Sequence, residues 1–167
     1  MKIKREALVD EYITEALLIL MKKKEYKDIS ITEICEKAGV TRMSFYRNFN
    51  SKEDILEKWL ARITDEFLVI SEISYKNDST KDYFIKLFTH LKQHQTICAA
   101  MYKAGLIHLV KAQFDRVFLQ IHKGEYDDYK SYFLAGGIYN VYLLWLIGGC
   151  KESPEDLAEK MEDMLVK

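Results

Sequence analysis

Apolar side chains recur every three or four residues along nearly the whole chain, the spacing of helices with one buried stripe. Over residues 4–24 two interleaved sets, Leu8, Tyr12, Ala16, Leu20 and Val9, Ile13, Leu17, predict a first helix. Residues 30–54 read as two short helices joined by a tight turn, a stop, and the start of a third. Over 52–75 the stripe Ile55, Leu56, Trp59, Leu60, Ile63, Phe67, Ile70 predicts one long helix, with the polar run Tyr75–Thr80 as linker. Phe84, Leu87, Phe88 and Leu91 define a helix over 81–93, with a break at Gln95-Thr96. Met101, Leu106, Leu109, Val110, Phe114, Val117, Phe118 and Ile121 give a helix or helix pair over 97–122, kinked near Gly105, before a turn containing Gly124.

Residues 128–149 are the most apolar stretch, and their length approaches that of a membrane span. Asn140, four glycines and several tyrosines, with no basic cluster beside them, argue against one. A helix apolar all round is instead buried on two sides. Ser153-Pro154-Glu155-Asp156 is a helix start, with a capping Ser, Pro in the first turn and acids at the positive end of the dipole. The last helix, 154–166, is expected to bury Leu157, Met161, Met164 and Leu165. One face of these two helices can pack on its own domain and another on a second subunit. The prediction is an all-α protein of about nine helices.

The segment 30–54 carries the sharpest local signals. Ser30 with Glu33 is a capping box, and Ile31, Ile34, Cys35 and Ala38 give the first helix an apolar face. Gly39 ends that helix where a positive φ is wanted, Val40 plugs the turn, and Thr41 can cap the next helix. Phe45 and Phe49, four apart, face inward, which leaves Arg42, Met43, Ser44, Tyr46, Arg47 and Asn48 largely outside. Ser51 and Asp54 form a further capping pair. Two helices around a Gly-containing turn make a helix-turn-helix, whose second helix enters the DNA major groove.

The run resembles the DNA-binding domain of the TetR/AcrR family of bacterial transcriptional regulators. Ile34, Ala38-Gly39-Val40, Phe45-Tyr46, Phe49 and Ser51-Lys52-Glu53 match, and the resemblance covers about residues 4–60. Met43 stands where the family often has Gly, and Ser44 where Thr is common. The resemblance implies a three-helix DNA-binding domain over 1–52 and a helical ligand-binding and dimerisation domain over 53–167. It implies a homodimer through helices 128–149 and 154–166, bound to a double-stranded operator, with two half-sites read by two recognition helices. The expected DNA-binding set is Thr32, Thr41, Arg42, Met43, Ser44, Tyr46, Arg47, Asn48 and Lys52. Arg42 suits guanine O6 and N7, and Met43 a thymine methyl. Ser44, Tyr46 and Asn48 suit phosphate, and Lys52 adds a cation at a helix N-terminus. Lys2, Lys4 and Arg5 are candidates for a phosphate or minor-groove arm.

The charge distribution agrees with a protein that meets DNA at one end. Residues 1–52 hold eleven Lys+Arg against eight Asp+Glu, a balance of +3, whereas the rest holds fourteen against eighteen, −4. Cys35, Cys98 and Cys150 are scattered and odd in number, which suits reduced thiols acting as small apolar side chains in a cytoplasmic protein.

The Phe- and Tyr-rich body suggests a small apolar or aromatic effector, and the candidate lining is Phe88, Met101, Tyr102, Phe118, Tyr142 and Trp145. The competing reading of those aromatics is plain core. His90 and His94 lie one turn apart, but a metal site would need a further ligand such as His108 or His122. No cofactor is implied. HExxH, GxSxG and a Gly-rich phosphate loop are all missing, which argues against an enzyme. The reading that results is a ligand-responsive transcriptional regulator, a repressor, with a helical protein-binding adaptor as the alternative.

Overall fold

The computed structural model describes residues 2–77, 79–121 and 127–165, and the side chains of 8–69, 79–120 and 127–164. The described residues form nine α-helices and no strand. These are α1 (Lys2–Met21), α2 (Ile31–Ala38), α3 (Arg42–Asn48), α4 (Lys52–Asn77), α5 (Thr80–Gln93), α6 (Gln95–Lys103), α7 (Ile107–Ile121), α8 (Asp128–Ile147) and α9 (Pro154–Leu165). A single 3-10 turn at Tyr26–Asp28 links α1 to α2.

The first three helices and the start of α4 form the head. Ile13 and Leu17 of α1, Ile34 of α2, Phe45 of α3 and Ile55 and Leu56 of α4 are fully buried against one another. Each such side chain contributes roughly 1.5–3 kcal/mol on burial. Further along, Ile63, Phe67 and Leu68 of α4 enter the core of the body. One continuous helix therefore carries side chains into both cores. In the body α9 packs along α5, α8 along α7, and α4 against α5 and α7. The short α6 touches α1, α5, α7 and α8. Arg116 of α7 clamps α4 from outside, donating from Nη1 to Asp65 Oδ1 at 2.9 Å and from Nη2 to the Ala61 carbonyl at 3.1 Å.

Several boundaries differ from the sequence expectation. The polar run Tyr75–Thr80 is mostly helix: α4 continues through Asn77 and α5 begins at Thr80. The turn needs only the residues between, because Ser79 already caps α5 by accepting the Asp82 N–H at 3.1 Å. The first helix stops at Met21, so Lys22–Lys24 lie beyond it, where Lys24 pairs with Glu33 at 2.6 Å. Leu8 and Tyr12, expected on its inward stripe, are exposed. The break expected at Gln95-Thr96 falls at His94. The kink expected near Gly105 is a break between α6 and α7, and Gly105 has φ +76°. In α9, Leu157 and Met161 are buried, but Met164 is 64% exposed. Ile70, Gly124, His122 and Leu165 fall outside the described side chains.

Candidate nucleic-acid interface

The local sequence sets the α2–α3 geometry through backbone caps. Ser30 accepts the Glu33 N–H at 3.1 Å, and Glu33 Oε2 receives the Ser30 N–H at 3.3 Å. Gly39 ends α2 at φ 66°, ψ 31°. Its N–H bonds the Glu36 carbonyl at 3.2 Å while the Val40 N–H bonds that of Cys35 at 3.0 Å, the paired closure of a Schellman motif. A Cβ at Gly39 would meet nothing within 4 Å, so the requirement there is for the positive φ alone. Thr41 then caps α3, accepting the Ser44 N–H at 3.1 Å.

Packing fixes which face of α3 points out. Phe45 is fully buried, with Phe49 at 6.1 Å between ring centroids. On the opposite side Arg42, Met43, Tyr46 and Arg47 are exposed, Met43 by 75% and Tyr46 by 51%. Neither Arg42 nor Arg47 has an ion-pair partner among the described residues. Two free guanidinium groups, a thioether and a phenol thus share one short helix face. Tyr46 packs its ring edge-to-face on Phe45 at 5.2 Å, which holds its hydroxyl at the rim. Thr32 and Thr41 are exposed beside this face, and Ser44 is half-buried.

Two members of the expected set are engaged inside the fold. Asn48 Nδ2 donates to the Ser44 carbonyl at 2.7 Å. Lys52 Nζ donates to the carbonyls of Tyr26 at 2.9 Å and Ile29 at 2.6 Å, and lies 4.4 Å from the centre of the Tyr26 ring. Burial pushes the Lys52 ammonium below its usual range, with Asp28 opposing that shift. Burial, helped by Glu53, raises the Tyr26 phenol to about 12. Lys52 therefore ties the 3-10 turn to the start of α4, and its charge is committed there. The side chains of Lys2, Lys4 and Arg5 lie outside the described residues.

The body contains a cavity of about 60 Å³ between α4, α5, α7 and α8. Phe67, His90, Gln113, Phe114 and Phe118 are among its walls. Of the six candidate lining residues only Phe118 faces it. Phe88, Met101, Tyr142 and Trp145 are buried beside it as packing. Phe88 lies 5.6 Å from Trp145, and Tyr142 stacks on Phe114 at 5.3 Å. Tyr102 faces solvent. Sequence reasoning missed Thr64 and Gln113. The available signal was register: Thr64 lies four after Leu60 and three before Phe67, and Gln113 three after Val110 and four before Val117, so each is a polar residue on an apolar stripe.

His90 and His94 stand 5.1 Å apart between ring centroids. Burial holds both imidazoles below their usual range, with the His90–His94 interaction adding to it for His90 and Glu66 opposing it for each. No group of three His, Cys, Asp or Glu among the described residues could hold a metal ion. His108 is exposed, with Nε2 3.9 Å from Glu53 Oε1. Nor is any described helix long and apolar enough to cross a membrane.

Comparison with known proteins fits this geometry. Residues 13–58 match the model of bacterial regulatory proteins of the tetR family, and residues 78–167 match that of a transcriptional regulator C-terminal region of the same family. The chain belongs to the TetR family of bacterial transcriptional regulators. Its curated relatives include the uncharacterized HTH-type transcriptional regulator YxbF of Bacillus subtilis (strain 168), 27% identical over 92% of this chain. This chain spans only 43% of YxbF's length. A TetR transcriptional regulator from Streptococcus agalactiae 2603V superposes with a TM-score of 0.68 at 18% identity, covering 98% of this chain and 97% of that one. The dihydroxyacetone kinase operon activator DhaS gives 0.64 at 19% identity over 95% and 94%. At these identities the likeness to both solved structures is one of fold.

Proposed function

We propose that the chain is a cytoplasmic, ligand-responsive repressor that binds an inverted-repeat operator as a homodimer. The free, rigidly presented face of α3 carries this reading. Arg42 supplies a bidentate donor for guanine, Met43 an apolar contact, and Arg47, Tyr46, Thr41, Ser44 and Thr32 positioning contacts to phosphate. Lys52 and Asn48 serve by holding that face in place.

The dimer reading is supported by α8. Tyr129, Phe133 and Leu144 are 90%, 79% and 75% exposed, and Tyr132 and Ile147 lie on the same side of the helix. A stripe of that size on a soluble chain calls for a cover, and a second copy supplies an identical one, closed by a two-fold axis. The axis would set the two α3 helices one DNA turn apart, about 34–36 Å. An effector in the body would act on α4, whose first turns carry the head, so a small tilt changes that separation. The name of DhaS, an operon activator, favours activation as the second reading of the regulatory sign.

The test is selection from a pool of random duplexes, with the bound fraction sequenced. Enrichment of an inverted repeat is expected, together with a loss of about 10-fold or more in Arg42→Ala. Salt-sensitive binding without enrichment would remove the operator reading. No binding even at low salt would favour the adaptor. Placing the enriched site across a reporter promoter reads the sign of regulation.

A further inference from the structure

Positive charge gathers in one place away from α3. The chain as a whole has a net charge of −1. Yet an open groove of about 750 Å³ is lined by Lys22, Lys23, Lys24, Lys27 and Lys103, with Glu25 as its one acid. That volume is on the scale of a small-molecule site. The lysines come from two parts of the fold. Four follow the end of α1 or lie on the 3-10 turn, in the head, whereas Lys103 is in the last turn of α6, in the body. The α6 wall carries Ala99, Ala100 and Ala104, short side chains that leave the groove open.

The fold does not use up this charge. The carbonyl ends of α1 and α6 each favour a cation, which accounts for one or two lysines and not for five. Lys24 pairs with Glu33 at 2.6 Å and Lys27 with Glu25 at 2.8 Å. Lys22, Lys23 and Lys103 have no ion pair within 4 Å among the described residues, and Lys103 acts on Glu25 through its field alone. Ammonium groups that repel one another around a concavity favour an anion between them. Each lysine meets phosphate as a point charge, so lysines spread along a groove suit several linked phosphates better than one. The head side of the groove is also fastened to the DNA-facing helices. Glu33, the partner of Lys24, lies in α2, and Lys52 ties the carbonyls of Tyr26 and Ile29 to the start of α4.

We propose that this groove binds a small oligophosphate, the di- or triphosphate of a nucleotide or a free polyphosphate chain, bridging the head lysines and Lys103. The groove shares no residue with the body cavity or with the outward face of α3. Its occupant fixes α6 to the turn that braces α2 and α4, and is a second input to operator binding. By linkage, the factor by which an oligophosphate changes operator affinity is the factor by which operator changes the affinity for the oligophosphate.

The test is calorimetric titration of the full chain with tripolyphosphate, ATP, AMP and sulfate at one ionic strength, without divalent cations. Tripolyphosphate and ATP are expected to bind about 10-fold or more tightly than AMP or sulfate. Tighter binding of ATP than of tripolyphosphate assigns the nucleotide, and equal or weaker binding assigns the phosphate chain itself. Lys22→Gln/Lys103→Gln should weaken both by about 10-fold or more, whereas Lys81→Gln/Lys160→Gln, the same loss of charge outside the groove, should leave them unchanged. Glu25→Gln, which removes the acid of the groove, should tighten binding by about 3-fold, a gain that misfolding cannot imitate. Equal weakening by the two lysine pairs, AMP or sulfate binding as tightly as tripolyphosphate, or no binding of either oligophosphate overturns the proposal. So does unchanged oligophosphate binding in Lys22→Gln/Lys103→Gln with weakened binding of duplex DNA, which assigns the groove to the DNA backbone instead.

Discussion

Head and body are built from the same kind of helix but place their exceptions oppositely. In the head, apolar side chains fill the interior, and the unusual residues are outside: Arg42, Met43, Tyr46 and Arg47 stand exposed on one face. In the body the unusual residues turn inward, Thr64 buried and Gln113, His90 and His94 half-buried. Thr64, Gln113 and the His90–His94 pair interrupt apolar stripes, while Tyr129, Phe133 and Leu144 lie exposed. A filled core with backbone caps makes a rigid presenter. A core with a void and orphaned polar atoms can gain from a guest, and an exposed apolar stripe can gain from a second copy. The difference is the one the proposed division of labour needs, a reader in the head and a sensor in the body.

The most severe way to break that contrast is to empty the head. Phe45→Ala should cost about 3–5 kcal/mol, read from the denaturant midpoint, because the ring is fully enclosed and α3 is held by little else. Next comes the stripe of α8. Phe133→Glu with Leu144→Glu would set like charges across a two-fold axis, a penalty of several kcal/mol. On the proposed α8 dimer, sedimentation should show a dimeric mass for the wild type and a monomeric one for this variant at the same concentration; an equal mass for the two would contradict an α8 interface. Gly39→Ala should cost about 1 kcal/mol of stability, purely for the positive φ, since the added methyl meets no atom.

The smallest effect is a pH dependence in the body. His90 and His94 have folded values below the unfolded 6.5, so their neutral forms favour the fold. Their contribution is complete above pH 6.5 and is lost as pH falls through that value toward the folded ones. Thermal melts should decline more steeply from pH 7 to 5 in the wild type than in His90→Gln/His94→Gln, with Glu66 moderating the effect of the two imidazoles in the wild type.

What the sequence made legible follows from the range of the interactions. The α2–α3 motif is encoded within a few residues: a capping Ser with Glu33, a Gly for φ 66°, a capping Thr and two Phe four apart. The outward face of α3 could therefore be named residue by residue. Lys52 could not, because its partners are carbonyls 23 and 26 positions away, and a carbonyl leaves no mark in the sequence. The helices reach further into Tyr75–Thr80 than its polarity suggests because turn-forming residues also serve as caps, as Ser79 does. The cavity was unreadable for a related reason. An aromatic stripe looks the same whether it meets another ring, as Phe88 meets Trp145, or a void, as Phe118 does. Polar residues at apolar register, Thr64 and Gln113, were the better indicator.

The central claim is that the outward face of α3 reads base sequence. It is tested most directly by fluorescence anisotropy on the selected duplex and on a scrambled one of equal length, for the wild type and for Arg42→Ala. About a 10-fold or larger loss is expected for the variant on the selected duplex and little change on the scrambled one, since a base contact discriminates whereas a phosphate contact does not. Equal wild-type affinity for both duplexes, or an unchanged affinity in Arg42→Ala, would contradict it.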